Sequence, residues 1–114
     1  MRLEQFQSLV KLNSEHLIGK DSRPYRSGLY RAVETYKASL GCEYPTGCNE
    51  TLWRQYPVLL DLDHIQPSEK LAAVSDLIQR ATRKNLETLT LEVWLEIAKC
   101  RVLCTAHHRL VTLT

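Results

Sequence analysis

Lys99-Cys100-Arg101-Val102-Leu103-Cys104-Thr105-Ala106-His107-His108-Arg109-Leu110-Val111-Thr112-Leu113-Thr114 closes the sequence. Together with Leu60-Asp61-Leu62-Asp63-His64-Ile65 it holds two of the four cysteines, three of the four histidines and two closely spaced aspartates. The other two cysteines lie in Gly41-Cys42-Glu43-Tyr44-Pro45-Thr46-Gly47-Cys48. Two glycines and a proline within that stretch exclude regular structure and let the chain fold back on itself. The separation of Cys42 and Cys48 exceeds the two to four residues usual in a metal knuckle, so this pair gains its weight from the pair downstream.

Cys104-Thr105-Ala106-His107 has the two-residue spacing that lets the first turn of a helix present two side chains to one ion. With Cys42 and Cys48 it completes a Cys3His set for tetrahedral zinc. Four protein ligands leave no open position for water, so the expected role is structural, tying residues 42 to 48 to residues 104 to 107. Cys100 competes with His107 for the fourth place. It would share a face with Cys104 if a helix ran through both, but Arg101-Val102-Leu103 reads as a short extended segment, which favours His107 and makes Cys100 a buried thiol. A Cys42–Cys48 disulfide is the alternative, disfavoured because the chain shows no secretory signal and four cysteines in a reducing compartment serve better as ligands.

Asp63, His64 and His108 are left over. His16, alone on the first helix, reads as an ordinary structural histidine. A carboxylate and an imidazole can hold Mg²⁺, Mn²⁺ or a similar divalent ion while leaving most coordination positions open, and an open site is what catalysis requires.

A chain of 114 residues with 44% hydrophobic and 25% charged residues is read as one globular unit. A domain this short buries only about 60% of the surface its unfolded chain exposes, so a metal clip would be a useful staple. No apolar run is long enough for a membrane span, and the expected location is cytoplasmic. The formal net charge is only +2, but its distribution is uneven. Residues 1–41 carry +3, residues 42–98 carry −4 and residues 99–114 carry +3. A fold that joins the two basic ends would set a phosphate-binding face beside acidic metal ligands.

Apolar spacing predicts a helix over residues 2–18, with Asn13-Ser14 a point of interruption and Gly19 a stop. A second helix is expected to start after Asp21 or Ser22 and run along a stripe of Tyr25, Leu29, Val33, Tyr36 and Leu40, ending at Gly41. Alternation of Leu60 and Leu62 with Asp61 and Asp63 predicts a half-buried strand. Pro67-Ser68 reads as a helix start, with Ser68 as cap and Leu71, Val74, Leu77 and Ile78 on the apolar face. After a polar stretch at 82–85, a last amphipathic helix is expected from about Thr90 to Lys99, with Trp94, Leu95 and Ile97 in the core.

The order Gly41-Cys42 through Cys48, then Leu60-Asp61-Leu62-Asp63-His64-Ile65, then Glu96-Ile97-Ala98-Lys99-Cys100-Arg101-Val102-Leu103-Cys104-Thr105-Ala106-His107-His108-Arg109 resembles the HNH endonuclease family over residues 30 to 114. The resemblance implies an α+β, mostly helical fold: a zinc-stapled ββα-metal core over residues 42–114, N-terminal helices over residues 1–41, and a helical insertion between the two short strands. It implies a metal-dependent DNA endonuclease or nickase of bacterial or phage type, acting as a dimer if both strands are cut. His64 would be the general base toward water, and Asp63 and His108 would hold the catalytic Mg²⁺, Mn²⁺ or Ni²⁺. Cys42, Cys48, Cys104 and His107 would hold the structural zinc. Arg109 and Arg101 would contact neighbouring phosphates.

The sequence departs from that pattern in three places. The common second cysteine of the C-terminal knuckle is His107, which leaves His107 and His108 interchangeable on paper. Leu110 and Val111 follow where basic side chains are usual. The middle asparagine has no clear counterpart, Asn85 being distant and Lys99 nearer its place. The alternative reading is a catalytically inactive, zinc-stapled module that binds nucleic acid or protein.

Overall fold

A computed structural model describes residues 1–14, 23–49, 51–79 and 86–113. His16, the Gly19 stop, the Asp21 or Ser22 start and the 82–85 stretch lie outside the described residues. The described elements are α1 (Leu3–Ser14), α2 (Arg23–Leu40), α3 (Leu52–Gln55), β1 (Leu60–His64), α4 (Val74–Gln79), α5 (Leu86–Ile97), β2 (Cys100–Cys104) and α6 (Thr105–Leu113). Short 3-10 turns at Pro57–Leu59 and Pro67–Glu69 flank β1. The fold is mostly helical, with one two-stranded antiparallel sheet.

α1 and α2 pack through Phe6 and Val10 on one side and Leu29 and Val33 on the other, and the same cluster takes in Val74, Ile78, Leu89, Val93 and Ile97 from α4 and α5. Each such side chain, fully buried, contributes about 1.5–3 kcal/mol of transfer free energy. Gly28 sits where α2 meets α1, and a Cβ there would run into the Ser14 side chain, so glycine lets the two helices close at that level. A second, smaller cluster joins Leu60, Val102 and Cys104 beneath Cys42, Cys48 and Trp53. Tyr36 and Leu62 touch both clusters and make the sheet continuous with the helical core.

Gly41 closes α2 with φ of +68°, a backbone conformation that glycine adopts freely, and the Trp53 ring occupies the space a side chain would need. The chain thus turns sharply into the cysteine loop. That loop docks on the outer edge of β2: Glu43 N–H donates to Val102 O at 2.7 Å, and Val102 N–H donates to the Glu43 carboxylate at 2.8 Å. On the other side, the buried Lys37 donates to Leu60 O at 2.7 Å and ties α2 to the first residue of β1. β1 and β2 pair with Leu60 opposite Cys104, Leu62 opposite Val102, Asp63 opposite Arg101 and His64 opposite Cys100.

Several sequence expectations are corrected. The helix read from Pro67-Ser68 begins only at Val74, and Pro67–Glu69 is a 3-10 turn. The cause is tertiary: the Leu71 N–H, which a Ser68 cap would take three residues on, donates to the Glu96 carboxylate at 3.0 Å. α5 begins at Leu86 rather than near Thr90, whose hydroxyl donates to Leu86 O at 2.6 Å. Leu95 is exposed, because Leu89, Val93 and Ile97 define the buried stripe and position 95 falls on the opposite side. Leu40, in the last turn of α2, is exposed as well. α3 has no counterpart in the sequence reading. Among the described residues, no helix is long and apolar enough to cross a membrane.

Candidate functional site

Cys104 is the last residue of β2 and His107 lies in the first turn of α6. The strand-to-helix junction therefore presents a sulfur and an imidazole side by side, and the Gly41 turn brings Cys42 and Cys48 against them. One ligand atom from each of Cys42, Cys48, Cys104 and His107 lies within 4.8 Å of every other, so the four are positioned to hold a metal ion. His107 Nδ1 is 3.3 Å from Cys42 Sγ and 3.3 Å from Cys104 Sγ, and Cys48 Sγ is 3.8 Å from Cys104 Sγ.

These distances test the fit. A tetrahedral zinc with bonds of about 2.3 Å to sulfur and about 2.0–2.1 Å to nitrogen has edges of roughly 3.8 Å between sulfurs and roughly 3.6 Å from sulfur to nitrogen. The donor set fits that cage. Burial pushes the Cys104 thiol up to about 11, and the crowding of Cys48 and Cys42 adds to the effect. A thiolate there needs the countercharge that a bound cation supplies. The Cys104 backbone N–H donates to Cys42 Sγ at 3.3 Å, and Tyr44 stacks flat on His107 with ring centres 4.0 Å apart, so the surroundings also fix the ligands. Cys100 stays out of the cluster: its buried thiol faces Glu96 O at 3.5 Å, and burial raises it to about 11.

His108 follows His107, and one helical residue rotates a side chain by roughly 100°. That rotation aims His108 away from the sulfurs and at β1. Strand alternation sets Asp61 and Asp63 on one face, and His108 lies against both. Its Nδ1 is 3.0 Å from Asp61 Oδ2, and its Nε2 is 3.6 Å from Asp63 Oδ1. The second distance is too long for a good hydrogen bond. It is short enough for one cation with bonds of about 2.1 Å to reach both atoms. Asp63 also accepts a hydrogen bond at 3.1 Å from Nε of Arg101, its cross-strand neighbour.

Asp61, His64 and His108 line one cleft of about 420 Å³, walled by α2, β1 and α4 and flanked by Lys37 and Lys70. Asp63 joins this group through His108. His64 turns the other edge of its ring toward α5, where Nε2 is 2.9 Å from Oε1 of Glu96. Glu96 is 1% exposed. Burial alone would raise its pKa, yet hydrogen bonds from Lys99, His64 and the backbone amides of Leu71 and Ala72 hold it down at about 2. Arg109 is exposed on α6, one residue beyond His108.

The structure thus brings Cys42, Cys48, Cys104 and His107 into one cluster and sets His64 and His108 on one cleft, with Asp63 beside His108. Arg101, expected at phosphates, has its Nε engaged by Asp63. Two residues of this site were missed. Asp61 has no role in the sequence reading beyond the strand's polar face, although its two-residue spacing from Asp63 puts both carboxylates on one side. Glu96 gave a clearer signal: a charged residue three positions after Val93 and seven after Leu89, on the apolar stripe of an amphipathic helix. A comparison with family models, with curated proteins and with solved structures finds no match for this chain.

Proposed function

We propose that the protein is a metal-dependent DNA endonuclease or nickase of the HNH type, with β1, β2 and α6 forming a ββα-metal core and Cys42, Cys48, Cys104 and His107 holding a structural zinc. The observation that carries this reading is the division at the start of α6: His107 serves the sulfurs, and His108 faces the two aspartates beside the cleft that His64 lines. In this reading His64 accepts a proton from the water that attacks the scissile phosphorus. Asp63 and His108 would hold Mg²⁺, Mn²⁺ or Ni²⁺, which when bound supplies positive charge to the phosphate and the departing 3′ oxygen. The products are a 5′-phosphate and a 3′-hydroxyl. Arg109 and the remaining N–H groups of Arg101 face neighbouring phosphates. Cutting both strands calls for a dimer or a second encounter, whereas one chain suffices for a nick.

The test is nicking of supercoiled plasmid in each of the three metals. His64→Ala is expected to lose about 10²–10⁴-fold in rate, the usual range for removing a general acid or base, and His108→Ala to lose cleavage with the catalytic ion. Undiminished cleavage by purified His64→Ala protein overturns the mechanism. A second reading, a zinc-stapled binding module without chemistry, is favoured by one observation: Asp63 already has Arg101 at 3.1 Å and His108 at 3.6 Å, so its charge is matched within the protein. DNA retention without cleavage in any metal would select it.

A further inference from the structure

Behind the cleft, Glu96 is surrounded by donors. Its Oε1 lies 2.9 Å from His64 Nε2 and accepts the Leu71 N–H at 3.0 Å, while its Oε2 accepts from Lys99 Nζ at 3.0 Å. Lys99 Nζ is itself held by Glu69 O at 3.0 Å, which steadies the carboxylate from the far side. An ionised carboxylate is an acceptor only. The short contact to His64 therefore requires a proton on Nε2, and a neutral imidazole with that proton carries its lone pair on Nδ1. Nδ1 has no hydrogen-bond partner among the described residues, and His64 is the ring that lines the cleft with Asp61 and His108.

We infer that Glu96 is a positioning residue: it locks His64 in the Nε2–H form and leaves Nδ1 as the atom that accepts the proton of the attacking water. The catalytic half of this inference rests on the nuclease reading; the choice of ring nitrogen does not. The same arrangement accounts for the charge buried on the apolar stripe of α5. A salt bridge serving only to join α5 to β1 would need neither a histidine nor a fixed tautomer. The ion pair with Lys99, 3.0 Å away, already links α5 to the segment before α4 through Glu69 O.

Two measurements on the full chain, expressed with zinc in the medium, test this. In ¹⁵N-labelled protein at pH 8, long-range proton–nitrogen correlation spectra report which ring nitrogen of His64 is protonated, and His64→Gln assigns the signals by removing them. A protonated Nε2 with a bare Nδ1 supports the inference, and a protonated Nδ1 overturns it whether or not the protein cuts DNA. In the nicking assay, Glu96→Gln keeps the side chain's volume and removes its charge. The expected result is a kcat lower by about 10–100-fold, the usual cost of removing an outer partner of a functional histidine, with KM within about twofold and zinc content unchanged. A variant that cuts at the wild-type kcat overturns the positioning role, and one that loses zinc or raises KM alone assigns Glu96 to structure. If wild type does not cut and the tautomer is Nε2–H, the nuclease reading falls and the assignment of the ring stands.

Discussion

The two clusters that meet at the start of α6 are opposite in kind. Cys42, Cys48, Cys104 and His107 present soft donors that saturate a tetrahedron and leave nothing for a substrate. Asp61, His64 and His108 present a carboxylate and two imidazoles to a cleft that stays open to solvent, with Asp63 against His108. The first joins a loop in the middle of the sequence to residues 104–107 across more than fifty residues; the second joins one strand to one helical turn across more than forty. A closed thiolate site can hold a fold that a small core leaves marginal, while an open carboxylate site contributes little to stability and much to chemistry. The junction between β2 and α6 makes both with neighbouring residues.

The largest expected effect breaks the first cluster alone. Cys42→Ser and Cys104→Ser should lose tightly bound zinc, and with it the cooperative melt, because the binding free energy of a structural zinc is itself folding free energy of about 10 kcal/mol or more at neutral pH. Cys100→Ser should keep the metal and cost about 1 kcal/mol, since it changes one weak contact to Glu96 O. Metal analysis and thermal melting separate the two outcomes, and a Cys100→Ser chain without zinc would break the ligand assignment.

A second, smaller effect falls on the cleft. Glu96 titrates at about 2 in the fold against an ordinary 4.5, so its ionised form stabilises the native state. The sign follows from linkage: a depressed carboxylate contributes stability that is complete above about 4.5 and is lost as pH falls toward about 2. The full contribution is on the order of 3 kcal/mol from the size of that shift. Acid also strips zinc, but wild type and Glu96→Gln share that loss. The stability difference between them should therefore shrink through this window in pH-dependent urea melts. A difference that stays constant from pH 6 to pH 2 would remove Glu96 from the account.

The smallest effect sharpens the contrast within the cleft. Asp61→Asn keeps the volume but withdraws the carboxylate from His108 Nδ1, and such a partner is typically worth about 10–100-fold in metal affinity. If the protein nicks DNA as proposed, titrating the rate with Mn²⁺ should show a weaker midpoint, with zinc content and melting temperature unchanged. An unchanged midpoint would mean that Asp61 is only polar surface.

What could be read from residues alone follows the same contrast. Cysteines are few and their spacing is informative, so the thiolate cluster was legible, as was the one-residue separation of His107 from His108, which needs only the pitch of a helix. β1 was legible because alternation is local. Glu96 was not given its role, because a partner thirty-two positions from His64 leaves no periodic mark. The same residue explains the misplaced start of α4: Pro67-Ser68 is a sound local signal, but Glu96 takes the Leu71 amide that a Ser68 cap would need. The exposure of Leu40 and Leu95 has a similar origin, since apolar spacing names a face before it is known what covers it. α3, at four residues, is too short for any period to show.

The docking of the cysteine loop on β2 reaches beyond the metal cluster. The outward amide and carbonyl of Val102 are both taken by Glu43, and the amide of Cys104 by Cys42 Sγ. An unguarded strand edge is a template on which a second chain can extend the sheet. Here the β2 edge is spent on the protein's own loop, so a second chain cannot lengthen the sheet from that side.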